Sequence, residues 1–599
     1  MTRIVPLAAA LAFILTAPDV AADSARECLT RNDSAPISSL GATGWAAVDG
    51  PVTGGCGATP SRVFTVHTRT ELVNALTKGQ FKGKNEHKVD HHSKIIYVRG
   101  TIDLNVDDAN VPLTEEDYMR MCGYTGHATY YDPATGDQRG SGGFFGAYKA
   151  AYDPNEWIKQ SLDADGRPPA LPTNDGGLES WRICFQKKQA ERVMVDVGSN
   201  TSIIGIGTDA RIINGGLRLG FINQNDPNDP ENYRAENIVI RNITFADAFD
   251  MFPGWDPKDS FSVTITNTGG CQAVYDPVAD AGPHKCPTRR GGRWNTEYDS
   301  IQVLNAEAVW IDHNSFTDDN FTDKPRFDDA FPAVFGAPFN EATQKTAHHD
   351  GTVDVTLLAA KVTISNNHFR RHDKANLLGG SDVANLVPGY GPGKIDVTFF
   401  GNYYQNMVQR MPRVRFGRVH VYNNVFDGDR RANASDHGYR LGDTWATGTA
   451  AKLVTENNLF DILNDSNLTI PRIINYASTA ANHDLCVSAG YSAAACGTYY
   501  GDTGTWITMR RANGTTTSTT RFDSFAALKT IQEASAGNQP LVRLEPTDPA
   551  VFWYPTQTYS YTLAPVSVPD EPITGNAAGG VLRAELRAKI ISNAGAGKF

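Results

Sequence analysis

Short strands that end in asparagine and then an aromatic residue recur through the middle of the chain. This recurrence predicts an all-β fold, a right-handed parallel β-helix with long loop insertions and a short N-terminal capping helix. Three observations carry the prediction. Lys361 to Phe369 reads KVTISNNHF, Asp396 to Tyr404 DVTFFGNYY, Arg418 to Phe426 RVHVYNNVF and Lys452 to Phe460 KLVTENNLF. Tyr404 and Phe426 stand 22 residues apart, a period that suits one coil of a solenoid. Asparagine tolerates the left-handed backbone of a corner, and stacked asparagines can bond from coil to coil.

Asn237 to Phe245 and Val309 to Phe316 are looser copies of the motif. A leucine-rich repeat is excluded by the missing leucine spacing. A β-sandwich would need hairpin turns every 8–12 residues. Thr70 to Lys78 (TELVNALTK) reads as a short amphipathic helix with Thr70 as N-cap, suited to covering the open end of the stack. Polar and glycine-rich stretches near 105–188, 267–293, 427–450 and 478–520 read as insertions. In solenoids these gather on one face and build the binding cleft.

Residues 1–22 read as a signal peptide. Arg3 precedes the short apolar run Leu7 to Thr16, and Val20-Ala21-Ala22 supplies small residues for cleavage. Residues 23–599 then form a single domain of a secreted, extracellular protein. Eight cysteines without a CxxC pair fit disulfides formed after export, not zinc. Neighbour pairing is expected, because Cys271/Cys286 and Cys486/Cys496 each close a small loop.

A net charge of −11 argues against nucleic acid as a partner. No later apolar run is long enough to cross a membrane, and a monomer is expected. Between Arg370 and His420, however, eight Lys/Arg face three acids, a local balance of +5. That suggests an anionic ligand.

Asp350 and Asp354 are four apart, so on a strand they point the same way. Asp299, with Glu297 before it, heads an earlier copy of the repeat. Stacked coils bring such carboxylates to about 4.8 Å strand spacing. Carboxylates that close need a cation, and hard oxygen donors without His or Cys favour calcium. Arg410-Met-Pro-Arg-Val-Arg415 is the densest local signal. Pro412 turns the chain, so Arg410 and Arg415 can face one groove, where Lys374 adds a third cation. Planar guanidinium forks suit carboxylates.

On these residues Trp294 to Phe426 resembles the family 1 polysaccharide lyases, the pectate lyases. The carriers are Glu297-Tyr298-Asp299-Ser300, Trp310-Ile311-Asp312-His313-Asn314, Asp350-Gly351 with Asp354, His372-Asp373-Lys374 and Arg410-x-Pro-x-x-Arg415. The resemblance implies calcium ligands at Asp299, Asp350 and Asp354, with Glu297 a further candidate. It implies Arg410 as catalytic base and Lys374 and Arg415 as substrate-binding residues. The WIDH segment is structural in the family. The implied reaction is β-elimination on α-1,4-linked polygalacturonate. Arginine ordinarily keeps its proton, so elementary chemistry nominates Lys374 as base where the resemblance nominates Arg410. Either choice predicts alkaline activity. The alternatives are a pectin lyase acting on methyl-esterified chains, a non-catalytic binder of acidic polysaccharide and a hydrolytic polygalacturonase.

Overall fold

The computed structural model describes residues 44–77, 89–126, 143–144, 147, 177–256, 293–318, 333–334, 337–338, 348–431, 439–464, 473–545 and 553–597. Within them the chain winds repeatedly through three long sheets of 11, 10 and 8 strands. One coil runs Asp396–Phe400 in the first sheet, Tyr403–Gln409 in the second and Arg413–Val414 in the third. It then returns to the first sheet at Arg418–Tyr422. Neighbouring strands are parallel, except that Thr516–Arg521 at the edge of the second sheet runs antiparallel to Trp506–Arg510, and Tyr404 pairs with Phe426 as its 22-residue spacing predicts. This is the right-handed parallel β-helix the repeat calls for.

Each copy of the sequence motif turns out to be two strands and the corner between them. The first asparagine (Asn366, Asn423, Asn457) takes the left-handed conformation. The second points inward and builds a buried ladder. Asn314 N–H donates to Asn367 Oδ1 (2.8 Å), Asn367 N–H to Asn402 Oδ1 (2.9 Å), Asn402 N–H to Asn424 Oδ1 (2.9 Å) and Asn424 N–H to Asn458 Oδ1 (3.0 Å). The ladder satisfies amides that the corner removes from the sheets. The motif aromatics stack inside as Phe245, Phe316, Phe369, Tyr404, Phe426 and Phe460, with successive ring centroids 4.7 to 5.4 Å apart. Ile203, Ile240, Ile311, Ile364 and Phe399 form a parallel column on the first sheet.

Two expectations need correction. The capping helix spans Arg69–Thr77, and Thr68, not Thr70, caps it. Thr68 Oγ1 accepts from Glu71 N–H, while the Glu71 carboxylate accepts from Thr68 N–H. A glutamate three residues on completes the box only for Thr68. Strands Thr498–Thr503 and Trp506–Arg510, placed by sequence inside the 478–520 insertion, extend the first and second sheets. The inserted part includes the helices Ala480–Ser488 and Ala493–Cys496. The 105–188 region holds a helix, Glu115–Met121, and the start of another, Leu178–Val193, joined by a Cys122–Cys184 disulfide. Cys486 and Cys496 are bridged as expected. Residues 1–22 and Cys271/Cys286 lie outside the described residues.

Segments near both ends of the described residues lie across the coils. Trp45 N–H donates to Thr398 Oγ1 and Ala46 N–H to Thr363 Oγ1. The helix Ala577–Asn593 leads into a strap in which Gly595 N–H donates to Asn366 O, Ala596 N–H to Ser315 Oγ and Gly597 N–H to Asn242 Oδ1.

Candidate active site

The third sheet has the shortest strands, and every predicted site residue lies on it or just beside it. In strand Val353–Val355 the two valines are fully buried, which turns Asp354 to the outer face. Asp354 is in register with Gln302 of strand Ile301–Val303. Asp299 enters from just ahead of that strand. The two carboxylates converge over Gly351. A Cβ at position 351 would lie 2.3 Å from Asp354 Oδ1 and 2.7 Å from Asp299 Oδ1, so only glycine fits. Gly351 N–H donates to Asp299 Oδ1 (2.5 Å) and Leu377 N–H to Asp354 Oδ1 (2.9 Å).

Asp350 is drawn the other way. Its Oδ1 lies 2.8 Å from Lys374 Nζ, and Gly351 bridges Lys374 in parallel register. Its carbonyl accepts from His372 Nε2 (2.6 Å). One strand, His368–Lys374, therefore grips both the main chain and the side chain of Asp350. Glu297 is exposed at the rim.

The carboxylates strain against one another. Burial, then the charges of Asp354 and Asp350, hold Asp299 well above the usual carboxylate range. Burial and the Asp350 charge push Asp354 up to about 7. An all-oxygen donor set that resists its own ionisation fits a hard divalent cation such as calcium.

The cations stand on the next coils. Arg410, at φ +62°, occupies the turn between strands Tyr403–Gln409 and Arg413–Val414. Arg415 Nε lies 3.1 Å from Asp382 Oδ1, and its guanidinium donates to Gly379 O (3.0 Å). Thr449 Oγ1 holds Asp382 from behind (2.5 Å). Arg410 has no such partner. Among the described residues its guanidinium makes no hydrogen bond or ion pair, although its Nε is buried. By contrast Asp312 is buried in the first sheet, where it accepts from His313 Nδ1 (2.6 Å) and Ser365 Oγ (2.6 Å) and pairs with Arg241 (2.9 Å). The WIDH segment is thus architectural.

Sequence reasoning missed the support behind these residues. His372 Nδ1 lies 2.7 Å from Asp318 Oδ1, and Tyr439 OH donates to Asp318 Oδ2 (3.1 Å). A carbonyl can only accept, so Nε2 of His372 carries a proton. The ionised Asp318 calls for a second proton on Nδ1, and His372 is an imidazolium. Asp247, Asp318 and His349 gather close by, with ligand atoms within 4.8 Å of one another. His349 lies 3.6 Å from Asp247, so histidine charge offsets the aspartates there. The Leu178–Val193 helix braces the rim. Tyr298 OH donates to Gln186 O (2.8 Å), Gln186 Nε2 to Asp250 Oδ2 (2.8 Å), and Asp250 N–H to His348 O (2.9 Å).

A solenoid groove that sets crowded carboxylates beside an unpaired arginine defines a class: polysaccharide lyases that act on acidic chains. Comparison with known proteins narrows it. A family model described as pectate lyase matches residues 283–579. The pectate lyase of Bacillus subtilis strain 168 is 33% identical over 74% of this chain and 78% of its own. The solved structure of a pectate lyase from Acidovorax avenae subsp. citrulli superposes with a TM-score of 0.68 at 34% identity, covering 94% of this chain and 95% of that one. A pectate lyase structure with a bound hexasaccharide gives a TM-score of 0.58 at 28% identity, covering 94% and 98%. The chain belongs to the pectate lyase family and is a polysaccharide-cleaving enzyme.

Proposed function

We propose that the protein is a secreted, calcium-dependent lyase that cleaves α-1,4-linked polygalacturonate by β-elimination, with Asp299, Asp350 and Asp354 as the calcium ligands. The single observation that carries this reading is an unpaired Arg410 guanidinium on a coil that follows the crowded Asp299 and Asp354 carboxylates. The positive charge of Arg410 favours the ionised form of Asp354, against the effect of burial. Bound calcium supplies positive charge to the uronate carboxylate and acidifies the neighbouring C5 hydrogen.

Arg410, held by no acid, takes the C5 proton in its neutral form. The C5–H electrons become the C4=C5 double bond, the C4–O bond breaks, and the leaving oxygen takes up a proton. No water is consumed. Lys374 and Arg415 bind and orient substrate carboxylates. The family resemblance carried by Arg410-x-Pro-x-x-Arg415 nominates Arg410 over Lys374 as the base. A basic group that must lose its proton requires alkaline pH.

The test is the ultraviolet absorbance of unsaturated product from polygalacturonate, with calcium or with chelator. Absorbance should rise only with calcium and more steeply at alkaline pH. Arg410→Ala should abolish it with the fold intact. Saturated products, or full activity in chelator, would overturn the reading.

A further inference from the structure

The protein pairs arginines that it packs against its sheets. Arg218 lies 2.6 Å from Asp196, Arg418 lies 2.8 Å from Asp396 and Arg583 lies 3.0 Å from Glu571. Arg413 departs from this habit. Among the described residues its guanidinium makes no hydrogen bond and no ion pair, and its Nε is shut off from solvent. Arg413 is half-buried, and partly desolvating a guanidinium that no acid contacts directly is costly. The nearest acids are engaged elsewhere. Asp382 holds Arg415 and Thr449. Asp443 accepts from Arg410 N–H and from Asn475 Nδ2. Burial, then the like charges of Arg415 and Arg410, lower the Arg413 pKa to about 10.

Its position on the sheet shows what the arrangement serves. Val414 is fully buried, so Arg413 points to the outer face. Arg413 is in register with Leu377. The pairing of Val355 with Leu378 places Leu377 beside Asp354. Arg413 therefore stands in the same outward row as Asp354, two strands further along, roughly 10 Å at ordinary strand spacing. The next residue in that row is Ala446.

We propose that Arg413 is a subsite residue that binds the carboxylate of a uronate sugar further along the chain from the one being cleaved. Its planar fork takes a carboxylate in two parallel bonds. A chain must extend roughly 10 Å from the Asp354 site to reach it. The proposal rests on the lyase reading for its substrate class.

The experiment is calorimetric binding of tri- and hexagalacturonate, with calcium present, to Arg413→Gln and Arg413→Lys in an Arg410→Ala background that prevents turnover. Arg413→Gln should weaken hexamer binding about 10-fold, the loss of one charge-assisted contact. Trimer binding and calcium affinity should stay within about 2-fold of the parent. In the Arg410 enzyme, KM for polygalacturonate should rise by the same factor with kcat held. Arg413→Lys, which keeps the charge and loses the fork, should fall between, and it serves if Arg413→Gln does not fold. Unchanged hexamer binding overturns the proposal. So does equal weakening of trimer and hexamer with loss of calcium affinity, which marks a structural role. If the parent forms no unsaturated product and Arg413→Gln still weakens hexamer binding, the lyase reading fails while the subsite stands.

Discussion

Lys374 Nζ lies 2.8 Å from Asp350 Oδ1, so a candidate cation ligand and a candidate substrate-binding cation are already partners. If Asp350 ligates calcium as proposed, calcium and Lys374 compete for one carboxylate, and calcium binding should release the lysine toward substrate. Lys374→Met should lower kcat/KM on polygalacturonate about 100-fold, the upper range for a charge-assisted contact. Calcium affinity should hold or rise. Titration calorimetry beside steady-state kinetics checks this, and a parallel fall in both would contradict the competition.

The carboxylate cluster couples stability to pH through the metal. Asp354, pushed up to about 7, binds its proton more tightly folded than unfolded. A group of that sign adds stability while protonated and loses it as pH rises from about 4 through 7. The chelated protein should therefore lose stability over that window. Calcium, which binds the ionised form, should raise Tm more at pH 8 than at pH 5. Thermal unfolding with calcium and with chelator at both pH values measures the difference. Equal shifts would exclude the cluster as the cation site.

His372 spans Asp318 and the carbonyl of Asp350. Groups that orient a metal ligand from behind carry about 10–100-fold in metal affinity. His372→Ala should weaken calcium binding by that order. His372→Gln, whose amide N–H can replace Nε2, should recover part of it. Calorimetry on both variants decides, and unchanged affinity in the alanine variant would reduce His372 to packing.

Within the ladder, Asn402 accepts from Asn367 and donates to Asn424 and to Ile364 O. Asn402→Ala strands buried backbone groups and should cost about 1–3 kcal/mol. Denaturant unfolding would show the loss, while kcat per folded molecule should change little.

The fold was legible because its unit repeats. Asparagine and an aromatic at a fixed offset signal a corner and a core column, and Tyr404 and Phe426 stack as their spacing requires. The outward face of Asp354 was legible for a related reason, strand alternation, whereas Lys374 and Arg415 were singled out by the basic stretch and by the family resemblance. Asp318 was not. It meets His372 across 54 residues of chain, through a register that no local spacing encodes. Arg413 was visible only as one charge in a basic stretch, since its lack of a partner exists only in three dimensions. The helix Glu115–Met121 and its disulfide partner lay in a stretch whose glycine, proline and tyrosine content masked two helical segments.

The strap at Gly595 to Gly597 changes how such a stack can come apart. Coils that touch only their neighbours can fray from an end one at a time. Here Gly597 is bonded to Asn242, 355 positions earlier, so loosening the tail exposes amides on coils deep in the stack. Disturbance therefore spreads between coils that are not adjacent. The coil around Asn242 therefore completes its bonding only after the strap, 355 positions later, has been synthesised.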